Sequence, residues 1–308
     1  MDRLEEYQKI NNSFKKEVIY HFGLFGFYSE FNNMILAMLY CLERGIKFKL
    51  YSKDAIFALG NGWNDYFLPF CGESKNSFHS KLNYRIDYSN ISRIARVLIF
   101  IYRLRYHNTY LTYDVFSPSR EAWTERKHFE FPSLGIEGDL RDSAKCLIEM
   151  TYRFNLACIK EIDDIVKSIE LPKNYIGIHI RGGDKITEHK LYPIQKYIEK
   201  AQSVSSLRNA FIMTDDYLIY ERLVKNYPDW RFYSLSMEDE KGYDHYEFLK
   251  RSKERKKKHM MNLFASIEII KKSDAFIGTF SSNIGTFLGT YMPREIVYGI
   301  DYDNWMIF

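Results

Sequence analysis

Apolar positions along the 308-residue chain fall into short runs separated by stretches of helical period. Val18 to Phe25 is an apolar and aromatic run that predicts a strand, and Gly26-Phe27-Tyr28-Ser29 follows it as a turn. From Glu30 to Arg44, the residues Phe31, Met34, Ile35, Met38, Leu39 and Leu42 recur at helical spacing. Gly45 then stops the helix before a second strand at Ile46 to Tyr51. A βαβ unit of this kind has a right-handed connection and a parallel sheet, which puts the loop Gly26 to Asn33 at the carboxyl end of the first strand. Between Asn61 and Glu137 the pattern is irregular, with aromatic-rich loops, a helix from Ile91 to Tyr106, and Pro118 and Pro132 as punctuation. Arg141 to Ile169 reads as one helix leading into Leu171-Pro172-Lys173-Asn174, the expected domain boundary.

After that boundary the alternation is regular. Strands are predicted at Tyr175 to Arg181, Ala210 to Thr214, Arg231 to Ser234, Ala275 to Thr279 and Glu295 to Ile300. Helices are predicted at Pro193 to Gln202, Tyr217 to Asn226, Met261 to Lys272 and Asn283 to Tyr291. This spacing argues for an open, doubly wound α/β domain. Two domains, 1–170 and 171–308, also suit the length, because a single core stops growing efficiently near roughly 250 to 300 residues.

Composition narrows the classes. With 46% hydrophobic and 27% charged residues, the chain is neither disordered nor fibrous. Cys41, Cys71, Cys146 and Cys158 form no CxxC pair and are expected as reduced thiols. The polar start MDRLEEYQKINN and the lack of any run of about 18 apolar residues lead to the expectation of a soluble, cytoplasmic protein without signal peptide or membrane anchor. The net charge of +4 is local: Lys250 to His259 holds seven Lys or Arg against Glu254, leaving a near-neutral body. That run is expected as a solvated loop, with a grip on a polyanionic ligand as the sharper alternative. No basic face with a reading helix is visible, so nucleic acid is not expected as a partner. The 25 Tyr and 23 Phe accompany frequent Lys, Asn and Ile and count as background composition, although Trp63 and Trp123 are possible stacking surfaces for a sugar.

Ligands of doubly wound sheets collect beyond the carboxyl ends of the strands. Three ends there are unusual. The strand YIGIHIR ends at Arg181 and runs into Gly182-Gly183-Asp184-Lys185, with His179 and Arg181 on one face. A second ends in Thr214-Asp215-Asp216, and a third in Thr279-Phe280-Ser281-Ser282 before a helix. Arg181 facing hydroxyls and helix-start amides would suit a pyrophosphate, needing no metal. Taken one at a time, each has a plainer role: Asp184 as the ion-pair partner of Arg181, His179 as a satisfied core histidine, the Ser and Asp pairs as helix caps. Their conjunction on one sheet rim favours function.

The segments IGIHIRGGDKITEHKLYPIQKYI, FIMTDD and SDAFIGTFSSNIGTFLGTYM resemble, in order and spacing, the three motifs of the α1,6-fucosyltransferase family, within the superfamily that shares an H-x-R-x-x-D core. The likeness covers roughly Tyr175 to Met292. It implies a GT-B fold, two Rossmann-like domains facing a cleft, with donor on the second and acceptor mainly on the first. It implies an inverting fucosyltransferase that uses GDP-fucose as donor substrate, with no cofactor or metal, and a glycan as acceptor. By the same likeness Arg181 holds the β-phosphate beside Ser281 and Ser282, with Thr279 and Phe280 in the same turn, and His179 lies by the nucleoside. Asp215, Asp216 and Lys185 complete the donor site, Asp184 belongs to the catalytic set with Arg181, and Glu188 is the base. Tyr28, Ser29 and Asn32 fall on the acceptor side. Three departures stand out: Gly182 replaces a second arginine, the chain is one residue shorter between Lys185 and Glu188, and Ser266 stands near the aspartate that reads guanine, with Glu268 two residues on. They keep another GDP- or UDP-sugar, and a non-catalytic binding module, as alternatives. A metal-dependent GT-A transferase would rest on Asp301-Tyr302-Asp303 alone, and no GxxxxGK[ST] supports a P-loop kinase.

Overall fold

Each segment read as a strand in the sequence contains a strand in a computed structural model that describes residues 2–23, 25–85, 91–121, 128–182 and 191–305. The chain divides into two units, Met1–Asn155 and Leu156–Phe308. The division precedes the helix Leu156–Lys167 because that helix packs on a helix of the second unit, and Glu161 pairs with Lys257 there at 2.7 Å.

The first unit runs α1 (Arg3–Ser13), β1 (Lys16–His21), α2 (Phe27–Arg44), β2 (Ile46–Tyr51), a 3-10 turn (Gly62–Asp65), β3 (Gly72–Glu73), α3 (Phe78–Leu82), α4 (Arg93–Arg105), β4 (Thr109–Leu111) and α5 (Thr112–Glu121). The antiparallel pair β5 (Phe129–Phe131) and β6 (Ile136–Gly138) and the helix α6 (Leu140–Thr151) close it. Its parallel sheet has the order β3-β2-β1-β4. The first strand ends at His21, short of the expected Phe25, since the chain turns there to let Ile56 donate its amide to the Gly23 carbonyl. The polar amino-terminal segment is helical: Asp2 caps it, and Asn11 bonds both the amide and the carbonyl of Phe48 in β2. The expected helix from Arg141 to Ile169 breaks at 152–155, where Leu68 donates to the Arg153 carbonyl and Asn155 donates to the Tyr66 carbonyl. Trp63 is 1% exposed, its ring 4.4 Å from Phe67 and its indole N–H bonded to the Leu68 carbonyl, so it is core and offers no face to a sugar. Trp123 lies outside the described residues.

The second unit runs α7 (Leu156–Lys167), β7 (Ile176–Ile180), α8 (Ile194–Val204), β8 (Asn209–Thr214), α9 (Tyr217–Asn226), β9 (Arg231–Ser234), α10 (His245–Lys250), α11 (Lys253–Lys271), β10 (Ala275–Gly278), α12 (Asn283–Tyr291) and β11 (Val297–Gly299). All five strands are parallel, in the order β11-β10-β7-β8-β9. Taken in chain order this is the 3-2-1-4-5 winding of a Rossmann sheet, with its switch point between β7 and β10. Ile176, Ile178 and Ile180 of β7 face a core with Tyr197, Ile198 and Leu223, while Gly177, on the other face, lies against Ile270 of α11. The basic run is helical where a loop was expected. Ser252 caps α11, and the run continues the amphipathic Met261-to-Lys272 pattern toward the amino end, held by the Lys257–Glu161 pair. None of the four cysteines forms a disulfide. Among the described residues no helix is long and apolar enough to cross a membrane.

Candidate functional site

The switch point of the second sheet gathers most of the residues singled out in the sequence. β7 and β10 are neighbours, with Ile178 paired to Ile277, so the segment after Ile180 and the turn after Gly278 emerge side by side. His179 is buried in β7, and its Nδ1 lies 3.5 Å from the Ser282 hydroxyl. Burial pushes its imidazole down to about 4, the Asp215 carboxylate pulls it back up, and Arg181 pushes it further down. The ring is therefore neutral near pH 7. Arg181, one residue past the strand, is half-buried.

The turn Thr279 to Ser282 is tighter than its sequence suggests. Ser282 is the N-cap of α12: its hydroxyl donates to the Thr279 carbonyl at 2.8 Å and accepts from the Gly285 amide at 3.0 Å. Gly285 is required because a Cβ there would strike the Thr279 carbonyl. Two of the amides expected to be open to an anion are already engaged. Phe280 and Ser281 donate theirs to the two carboxylate oxygens of Asp301, at 2.8 and 2.9 Å. Asp301, which as a sequence triplet read only as a weak metal signal, is thus the clamp of this turn. The turn presents the Ser281 hydroxyl, half-buried and without a hydrogen-bond partner among the described residues.

A second aspartate does the same work at the end of β8. Asp215 accepts from the Gly182 amide at 2.6 Å and the Tyr243 amide at 3.0 Å, so it ties the end of β7 to the loop before α10. Asp216 caps α9 through the Leu218 amide at 3.1 Å. Gly182 stands where the resembled family has an arginine, and the structure supplies a reason. A Cβ at 182 would overlap the Asp216 Cβ and come within 2.9 Å of Ile219 Cδ1. Ser266 is buried on α11 with its hydroxyl returned to the Asn262 carbonyl at 2.8 Å, and Glu268 is paired with Lys271 at 2.8 Å.

Asp184, Lys185 and Glu188 lie outside the described residues. On the acceptor side, Tyr28 is buried and shares a 2.7 Å hydrogen bond with the Tyr152 hydroxyl, Ser29 is half-buried with its carbonyl bonded to the Asn33 side chain, and Asn32 is half-buried on α2. Among the described residues no group of three or more His, Cys, Asp or Glu could hold a metal ion.

No protein-family model matches the sequence, and no curated protein matches it. Solved structures do. A crystal structure of NodZ α-1,6-fucosyltransferase soaked with GDP-fucose matches with a TM-score of 0.55 and 14% identity over 90% of this chain and 93% of its own. Fucosyltransferase NodZ from Bradyrhizobium matches with a TM-score of 0.53 and 12% identity over 92% and 94%. NodZ co-crystallised with GDP gives 0.54 and 13% over 92% and 93%. The fold is the fold of NodZ. It is α/β and GT-B in class, as the sequence motifs implied. The match extends beyond the three motif segments: at 90% coverage it takes in the NodZ-like first unit, where the sequence itself offers little likeness.

Proposed function

We propose that this protein is a glycosyltransferase that moves L-fucose from GDP-fucose to a hydroxyl of a glycan, inverting the anomeric centre, with the donor on the second unit and the acceptor on the first. The observation that carries this reading is the placement of Arg181, neutral His179 and the Ser281 hydroxyl at the switch point between β7 and β10, in a fold shared with a NodZ structure soaked with GDP-fucose.

The mechanism follows from charge. As the glycosyl bond breaks, negative charge gathers on the β-phosphate while the sugar approaches an oxocarbenium ion. Arg181 offers a planar fork to that phosphate, and Ser281 adds a hydroxyl. Because Asp301 holds the Phe280 and Ser281 amides, the clamp makes this turn rigid before the donor arrives. Neutral His179 keeps a second positive charge away from the guanidinium, and Asp215 fixes the chain at Gly182. A carboxylate then takes the proton of the incoming hydroxyl, a step worth about 100-fold to 10,000-fold. The resembled motif assigns it to Glu188. Asp184 and Lys185 would flank the phosphates, Asp216 and Thr279 would shape the donor pocket, and Ser266 would face the base. A cytoplasmic location and independence of metal belong to the same reading.

Release of GDP from GDP-fucose, followed with and without an acceptor panel and in EDTA, tests it. Turnover in EDTA supports the proposal. A strict need for a divalent cation, or tight GDP binding with no turnover over the whole panel, overturns it in favour of a metal-dependent enzyme or a binding module.

A further inference from the structure

The helix α4 is amphipathic with its apolar side turned outward. Ile99 is its one fully buried residue among those described, and Tyr102 stacks on Phe78 at 3.9 Å, which fixes the inner face. Ile94, Val97, Ile101 and Leu104 recur at spacings of three and four, on the side opposite Ile99. They are 75%, 56%, 53% and 66% exposed, and Phe100 and Leu98 flank them at 61% and 45%. A helix that only covered a core would have the reverse arrangement. Contiguous apolar surface of this kind marks an interaction site.

The charges on the helix point to the occupant. Arg93 and Arg105 border the stripe, Arg96 and Arg103 lie further round toward Ile99, and no acidic residue occurs from Ile91 to Tyr113. Arg103 is anchored to Asp114 at 2.6 Å, which leaves Arg93 and Arg105 on the rim of the exposed face and Arg96 exposed beside Phe100. A second copy fits poorly. The stripe spans only two heptads, below the three or four that sustain a coiled coil, and two copies would bring arginines together with no carboxylates on the facing helices. A short cationic helix with Ile, Leu and Phe outward matches the interface of an anionic bilayer, where it lies in the plane of the surface.

We propose that α4 is a peripheral membrane-docking element that seats the protein on anionic phospholipid. It is carried by a segment distinct from the donor site.

Sedimentation of the full chain with vesicles of pure phosphatidylcholine, and with vesicles containing 30% phosphatidylglycerol (a proportion on the order of a strongly anionic leaflet), provides the test. The protein should pellet with the anionic vesicles and remain in solution with the neutral ones. Binding should weaken by about fivefold for each of R93Q, R96Q and R105Q, and with added salt. V97E/I101E should abolish it without shifting the thermal transition, because both side chains are exposed. Failure to pellet with anionic vesicles, or equal pelleting with neutral ones, overturns the proposal. So does a concentration-dependent dimer that V97E/I101E dissociates, which would make a second copy the occupant.

Discussion

The two units wind their sheets in the same order yet finish their switch points in opposite ways. In the first, β1 and β4 separate at the position where β7 and β10 separate in the second. There the gap is filled from within. Asn83, fully buried, donates to the Ile19 carbonyl at 2.7 Å and to His79 Nδ1 at 3.1 Å, accepts from the Thr112 amide at 2.7 Å, and offers its carbonyl to His21. Among the described residues of the second unit no side chain bonds the backbone of both β7 and the segment after β10 as Asn83 does for β1 and Thr112. Asp215 and Asp301 bind backbone amides on either side and leave Arg181 and Ser281 half-buried at the rim, with His179 buried in β7. One winding therefore yields a structural plug in one unit and a candidate ligand crevice in the other. The difference lies in whether the carboxyl-end polar groups satisfy one another or satisfy only the loops that frame them.

The largest effect is expected from Arg181→Ala. Turnover of GDP-fucose should fall by about 100-fold or more while the thermal transition stays in place, since the guanidinium is at the rim and not in the core. Undiminished turnover would remove the crevice from the reaction. Acid should then act on both units together. Burial pushes His79 and His179 each down to about 4, from an ordinary 6.5. The unfolded chain takes up these protons first, so stability is full above pH 6.5 and declines as pH falls toward 4, by roughly 3 kcal/mol for each histidine. Denaturant titrations between pH 7 and 4 measure the slope, and His79→Gln should make it shallower.

Asn83→Ala should cost about 3 kcal/mol or more, because it leaves the Ile19 and Thr112 backbone groups buried without partners, yet GDP affinity should be unchanged. A loss of nucleotide binding would show that the plug also serves the site. Gly182→Ala should cost about 1 to 3 kcal/mol and raise the donor KM, by displacing the Asp215–Asp216 turn. The smallest effect separates the two serines. Ser282→Ala should lower stability by about 1 kcal/mol as a lost N-cap, whereas Ser281→Ala should leave stability alone and lower kcat/KM. Thermal melts and initial rates on both variants decide between cap and ligand.

Much of the second unit was legible beforehand. The bounds of α9, β9 and α12 agree with the sequence reading because each element is flanked by its own signals: Asp216 ahead of α9, Pro228 before β9, Ser282 before α12. His179, Arg181, Ser281 and Ser282 stand out in the sequence because two short motifs sit at strand ends, and the structure brings those ends side by side. Asp301 and Asn83 were not found, since their partners lie 21 and 64 residues away and nothing local marks a carboxylate or an amide that bonds distant backbone. The break at 152–155 was hidden for the same reason: helical period runs through it, and it exists because Tyr66 and Leu68 compete for the backbone there.

Periodicity and end signals act over three or four residues, so the order of strands and helices in the second unit and the residue types at its strand ends could be read from the chain itself. Which way an apolar stripe faces, which amides remain open, and which switch point is plugged depend on groups brought together from far apart. The stripe of α4 has the period of a core helix, and only the packing of Ile99 and Tyr102 turned it to solvent. The turn after β10 has the sequence of an anion site, and only the arrival of Asp301 engaged its first two amides. A local pattern fixes what a segment can offer, and the tertiary structure decides what is still left to offer once the buried polar groups have found partners.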